Sequence, residues 1–454
     1  MFLKNKHTKM KSILSAITLC FASTCLFGQM PTVATMQSSA PEGTSLGANN
    51  TLSASGIALG NRVKMRGFID FRFDYTDLDD LATDDDKRFR TAADIDFLFD
   101  FSPVTGGVHI RASDAQSVDL EQAFFRYSFN QDFSLTAGRQ LTVLSFEKDE
   151  SPNMYQTSYA YLTDVSEDVQ GGTSALESFI GLNSFKQTGS MIDTLMTSST
   201  DPTVVAALPT YTAYTSTNTV VDPTNFDLPS FRRNYVDGIR ANFNNGRFGL
   251  VAGLHNGYFT NSDNLNDGNI GLDIAASVMI IPGLEFRLGF GYENNDAYND
   301  SIAGYNTWAT GLRSDLESAT PAHSAVAALV PVFPESDDIS QFNAWLSYQT
   351  GGLTLAAEWD IWDIYVIDMW NLMFLANYQF NDFFALTFRY SHEDFEADVP
   401  GGGEGDSNRF TIGPMFTITD FLTIGIEYSH AELDSTITGD TCVDELYAET
   451  IFSF

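Results

Sequence analysis

A chain of 454 residues with a formal charge of −35 and 13% aromatic residues is long enough for a large core. Its acidity excludes nucleic acid as a partner, and three cysteines cannot frame a disulfide-rich fold. Beyond the N-terminal leader no run approaches the roughly 18 apolar residues that a membrane helix needs.

In chain order, Lys4, Lys6, Lys9 and Lys11 precede the apolar run ILSAITLCFASTCLF, which ends at Gly28-Gln29. A basic start, a short apolar core and small residues describe a secretory signal peptide, assigned to 1–29. Its removal leaves 24 − 4 = 20 basic residues against 59 acidic ones, a balance of −39. Cys20 and Cys25 leave with it, and Cys442 remains alone. Residues 30–62 are rich in Ser, Thr, Ala, Gly and Pro, a composition that buries little apolar surface and reads as a flexible lead.

From residue 63 a period of two takes over. In VKMRGFIDFRFDY, Val63, Met65, Ile69, Phe71, Phe73 and Tyr75 share one parity; Lys64, Arg66, Asp70, Arg72 and Asp74 share the other. Successive side chains of a strand point to opposite faces, so this strand has an apolar and a charged face. Residues 90–102 repeat the pattern, with Ala93, Ile95, Phe97, Phe99 and Phe101 against Arg90, Asp94, Asp96 and Asp100. A later hairpin carries Ile270, Leu272, Ile274, Ala276, Val278 and Ile280 through Pro282-Gly283 into Leu284, Phe286, Leu288, Phe290 and Tyr292.

Tight connections near 103–107, 130–132, 244–246, 281–283, 350–352, 381–382 and 419–420 use Gly, Asn, Asp and Pro, as hairpin turns do. They alternate with polar segments at 76–89, 114–119, 144–233, 259–268, 295–337, 362–367, 394–407 and 432–444. The count is about sixteen strands with both ends on the short-turn side, the arrangement of a closed antiparallel transmembrane β-barrel with periplasmic turns and long outer loops. Closure removes the sheet edge that a bilayer cannot satisfy. The polar face holds charges with Gly and Ser, as a wet lumen does and a soluble core does not. The barrel is assigned to 63–454, with its third outer loop at about 144–233. A further hairpin in that loop, through Thr157–Leu162 and Ser178–Leu182, would raise the count to 18.

The last strand, LYAETIFSF, ends in Phe452 and Phe454 on one parity. It resembles the terminal strand of bacterial outer-membrane proteins, whose closing Phe is read by the barrel-assembly machinery. The block LEQAFFRYSFNQDFSLTAGRQLTVLSFEKDESPNMYQTSYAY, residues 120–161, is similar to porins related to the phosphate-selective and general diffusion porins. That resemblance implies passive diffusion of ions and small hydrophilic solutes, outer-membrane lipid as surroundings and a homotrimer. It does not imply phosphate selectivity, since 24 Lys and Arg in total cannot build a lysine-rich lumen.

In general porins the loop after the fifth strand folds inward and narrows the pore; here that loop is 144–233. A structureless loop of such length must be functional to be compatible with a compact barrel. Its acids Glu147, Asp149, Glu150, Asp164, Glu167 and Asp168 are the expected constriction, and Arg66, Arg72, Arg90, Arg111, Arg126 and Arg139 the expected wall. Opposed charges across a narrow aqueous gap make a transverse field. The bland alternative pairs these arginines with Asp94, Asp96 or Asp100. Acidic loops at 77–86 and 393–406 lack calcium-hand spacing and read as solvated surface, so no metal or cofactor is expected. Gly43-Thr44-Ser45-Leu46-Gly47 matches G-x-S-x-G but lies in the lead segment without the strand-turn-helix setting the motif needs, and His109, His255, His323, His392 and His430 have no partner assignable by spacing, which leaves catalysis unsupported. An envelope anchor or adhesin is the competing class.

Overall fold

The computed structural model describes residues 57–58, 62–78, 86–113, 118–147, 154–162, 188–219, 234–257, 270–294, 296–320, 323–333, 338–364, 367–397, 402–437 and 439–454. The strands are β1 (Ile57–Ala58), β2 (Val63–Leu78), β3 (Asp86–Phe101), β4 (Val104–Ser113), β5 (Asp119–Ser128), β6 (Phe133–Leu141), β7 (Tyr235–Asn244), β8 (Phe248–Asn256) and β9 (Ile270–Ile281). They continue as β10 (Leu284–Glu293), β11 (Ile339–Thr350), β12 (Leu353–Ile364), β13 (Ile367–Gln379), β14 (Phe384–Ala397), β15 (Glu404–Thr419), β16 (Leu422–Ser435) and β17 (Thr441–Ser453). Each strand from β2 to β17 runs antiparallel to the next, and β17 pairs back onto β2 from Val443↔Leu78 to Ser453↔Phe68. Among the described residues the result is a closed barrel of sixteen strands. Thr157–Leu162 forms no strand, which removes half of the extra hairpin; Ser178–Leu182 lies outside the described residues.

The seam is completed at both levels. Phe454 exchanges two backbone hydrogen bonds with Gly67, 2.9 and 3.0 Å. Below it the two-residue β1 takes over the vacant edge of β2, pairing Ile57 with Met65 and Ala58 with Lys64.

The polarity of the wall is inverted relative to a water-soluble sheet. Phe71, Phe89, Phe125, Ile239, Ile274, Leu288, Phe388 and Phe410 are exposed on the outer parity, while Thr136, Arg240, Asp273, Asn343, Asn371, Glu427 and Ser429 are buried on the inner one. Large apolar side chains facing outward on strand after strand require a non-aqueous surrounding. Short turns between paired strands, such as Gly246 at φ +83° and Gly283 at φ +85°, need the left-handed conformation that glycine adopts freely.

The two longest outer connections contain helices where the sequence reads as polar loop. In 144–233 lie α1 (Thr188–Ser198) and α2 (Pro202–Thr217); in 295–337 lie α3 (Asp296–Ala319) and α4 (Ser324–Ala327). Ile302, Tyr305, Ala309, Leu312 and Leu316 recur at helical spacing along α3 and are buried against Val204, Ala207, Tyr211 and Val326. The same apolar cluster takes in Ile339, Trp362, Ile364, Ile367, Met369 and Phe395 from the ends of β11 to β14, so the helices sit against the inner rim of the long-loop end. Leu312→Ala should destabilise this cap by about 2–5 kcal/mol, read as faster proteolysis of 296–333 with barrel heat-modifiability unchanged. Asp201 caps α2 through the N–H of Thr203 at 2.7 Å, and these backbone donors hold its carboxyl below the usual range. The cap therefore strengthens α2 above the unfolded carboxylate pKa near 4 and is lost as pH falls through the lower folded value. Asp201→Asn should remove that pH dependence from amide exchange in α2.

Candidate pore interior

The third outer connection leaves β6 and turns into the barrel. Both of its ends are tied: Thr142 N–H donates to Asn234 O at 2.8 Å, and Asn234 N–H donates to Thr142 Oγ1 at 3.0 Å. Arg240 from β7 donates to Leu141 O at 2.9 Å and to Asp273 at 3.0 Å, with His255 Nε2 3.1 Å from the same carboxylate. Val143 and Leu144 then insert beside Val251 and Ala275. Leu144 occupies the space a Cβ on Gly289 would need, so glycine at this β10 position opens room for the incoming chain.

Next, Phe146 stacks parallel on Tyr155 and lies edge-on to Trp345, with ring centroids 6.3 and 5.6 Å apart. Met373, Leu375 and Ala356 complete this patch. Residues 148–153 lie outside the described residues, and 154–162 return along β14 to β17.

Along this path side chains of the wall replace a strand ladder. Phe146 N–H donates to Glu358 at 2.7 Å, Thr157 N–H to Glu427 at 2.6 Å and Leu162 N–H to Glu393 at 3.0 Å. Thr157 Oγ1 donates to Glu449 at 2.9 Å, and Ser158 Oγ donates to Glu427. The carbonyls find donors too: Thr387 Oγ1 reaches Tyr155 O at 2.9 Å, and Arg409 reaches Tyr159 O at 2.9 Å.

Arg389 is the centre of the attachment. Its side chain is fully buried, pairs with Glu147 at 2.5 Å, and donates to Ser158 O, Ser158 Oγ and Tyr159 O at 2.6–2.9 Å. Glu147 in turn accepts from Ala160 N–H at 2.8 Å. One arginine fork thus joins the outgoing and returning arms of the inner segment, a task that suits a planar five-donor group.

Of the expected constriction acids, Glu147 lies inside the barrel, and Asp149, Glu150, Asp164, Glu167 and Asp168 lie outside the described residues. The partner found for Glu147 is Arg389, not one of the early-strand arginines. Those pair with acids of their own wall. Arg66 meets Asp96 at 2.6 Å, Arg72 and Arg90 meet Asp74 at 2.7 and 2.8 Å, and Arg111 meets Glu121 at 3.6 Å. Arg126 is buried and donates to Thr136 at 3.1 Å.

Arg139 corrects the expected wall. Thr136 and Gln140 of β6 are buried inward, while Phe133 and Leu135 share the outer parity with Arg139. Arg139 stands on that outer face near the rim, 3.6 Å from Asp237 and over the Tyr235 ring. Its charge suggested a lumen position; its parity puts it outside. The C-terminal Phe452 is exposed on the outer face, and Phe454 packs 6.2 Å from it.

Glu358, Arg389, Arg409 and Glu427 stand on the inner parity of their strands, but the sequence by itself assigns them no task. Glu449 was not singled out. Parity gives the face, whereas a partner 242 residues away is a matter of register around the barrel.

No protein-family model and no curated protein sequence matches the chain. Solved structures that resemble it are outer-membrane barrels. OmpF of Salmonella typhi, solved with daunomycin, is 14% identical over 87% of this chain and 98% of its own, with a TM-score of 0.49. OprB of Pseudomonas putida is 11% identical over 87% and 94%, TM-score 0.49. The outer-membrane channel DcaP of Acinetobacter baumannii is 10% identical over 88% and 100%, TM-score 0.46.

Proposed function

We propose that this chain forms a water-filled diffusion channel in an outer membrane of the Gram-negative type, for ions and small hydrophilic solutes. The observation that carries the reading is the inverted wall, apolar outside and charged inside, with a chain segment anchored across its interior. Residues 142–147 and 154–162 narrow the lumen from the β12–β17 side and leave the β2–β5 wall, with its paired arginines, as the opposite bank. A charged, narrowed aqueous path sorts solutes by size and charge without a covalent step.

In this reading 1–29 is a cleaved export signal, 30–62 a lead segment, and 63–454 the barrel. The terminal Phe452 and Phe454 serve assembly, and the functional unit is a homotrimer. Vesicles carrying the purified protein should swell in isotonic solutions of small sugars, at rates that fall steeply with sugar size. Swelling that is absent for every sugar would favour an anchor or adhesin.

A further inference from the structure

The inner wall dips where β7 to β10 run side by side. In register one row reads Asn244↔Gly249↔Ser277↔Arg287, and the next row up reads Asn242↔Val251↔Ala275↔Gly289. Long polar side chains of β7 and β10 therefore flank a strip of small ones. A Cβ on Gly249 would stand 2.6 Å from Ser277 Oγ, so glycine there keeps the strip low. The result is a recess of about 40 Å³, room for about three waters. Leu144 of the inner segment crosses over Gly289, which lies further from the short turn along β10 than Arg287 does. The recess thus sits on the short-turn side of the narrowing, where a solute that has passed it arrives next.

Three kinds of group meet there. Glu285 and Arg287 line the recess from one face of β10, with Phe286 between them on the other parity. Two residues of a strand span about 7 Å, so the pair sets opposite charges that far apart at their roots. Ser277 stands directly across from Arg287 on β9. From β7, Asn242 spends Nδ2 on Thr136 Oγ1 at 3.2 Å and on Arg240 O at 3.4 Å. Its buried Oδ1 meets no donor among the described residues, and a buried acceptor of this kind calls for an N–H.

We propose that this recess seats the zwitterionic head of free α-amino acids. The carboxylate rests on Arg287 and Ser277, the ammonium faces Glu285 and Asn242 Oδ1, and the side chain stays in the aqueous path. The inference rests on the diffusion-channel reading and names a solute class within it. Charge decides the class. A carboxylate alone is attracted by Arg287 and repelled by Glu285, and an ammonium alone meets the reverse. A sugar gains from neither charge. Only a solute that carries both signs a few ångströms apart satisfies both ends of the pair at once, and the guanidinium fork suits its carboxylate. A recess this small takes the head and not the whole molecule, so the side chain adds little to the choice.

Vesicles carrying the full-length barrel are given four tracers of similar size at mildly acidic pH. They are L-alanine, L-alaninamide as the cation, L-lactate as the anion and lactamide as the neutral form. Uptake above that of empty vesicles should be about two- to fivefold faster for alanine than for lactamide, the gain from partly exposed charge contacts. Glu285→Gln should erase the alanine advantage and favour lactate, whereas Arg287→Gln should erase it and favour alaninamide. Opposite charge preferences in the two variants are a result that general damage to the wall would not give. Lactamide uptake reports that each variant forms an open barrel; if Arg287→Gln does not fold, Glu285→Gln and the wild-type series still decide. Alanine entering no faster than lactamide, or an alanine advantage unchanged in Glu285→Gln, would overturn the proposal, while lactamide entry would leave the channel reading standing. Entry of none of the four tracers would instead take down the channel reading, and the proposal with it.

Discussion

Replacing Arg389 with methionine is expected to release the inner segment while leaving the barrel closed. The variant keeps the aliphatic stem and removes the fork that holds Glu147, Ser158 and Tyr159. Glu147 then stays buried without its cation, and breaking one side of a buried pair costs about 3–5 kcal/mol. The ladder bonds of β2 to β17 are backbone bonds that do not involve this side chain, so the loss falls on 142–147 and 154–162. Limited proteolysis should cut that segment at least tenfold faster, and channel currents should become larger and noisier. Arg389→Lys should behave nearly as badly, because an ammonium cannot span both arms. Glu427→Gln, which keeps an acceptor for Thr157 and Ser158, should cost only about 1–3 kcal/mol. Unaltered currents and proteolysis in R389M would show that the attachment does not position the segment.

The second large effect tests which face meets lipid. Leu288 lies on the outer parity of β10, 40% exposed and four residues above Leu284, hence about 10 Å up and near the middle of the apolar band. Leu288→Arg should destabilise the barrel in vesicles by about 2–4 kcal/mol, the cost of a cation at the bilayer midplane. Its neighbour across the wall is the control. Ser277 on β9 borders a small inner recess shared with Asn242, Gly249, Glu285 and Arg287. Ser277→Lys adds a charge where water and Glu285 can receive it, and should cost less than about 1 kcal/mol. Urea unfolding in vesicles measures both. A larger cost at Ser277 than at Leu288 would mean that the inside is the apolar core of a soluble protein.

The strands were legible because period-two alternation survives wherever one face is apolar, as from Ile270 to Ile280 and from Leu284 to Tyr292. The helices were not read, for different reasons. In α3 the spacing of Ile302, Tyr305, Ala309, Leu312 and Leu316 was present but diluted by Asn, Asp, Ser and Gly. In α2 the β-branched residues Thr203, Val204 and Val205 and an internal Pro209 argue against a helix by propensity, and tertiary packing of Ala207 and Tyr211 overrides them. Only the Asp201-Pro202 start was a usable sign. The inner segment illustrates a deeper limit. Its entry into the lumen follows from length and position, but its contacts with Glu358, Arg389, Glu427 and Glu449 depend on which strands curve round to face it, and no local pattern encodes that.

Conductance across a planar bilayer tests the central claim most directly. Purified, heat-modifiable wild-type barrel added to one side should give discrete current steps that scale linearly with voltage and salt. Under the same conditions R389M should give steps of altered size. A correctly folded barrel that inserts into the bilayer and passes no current would contradict the channel account.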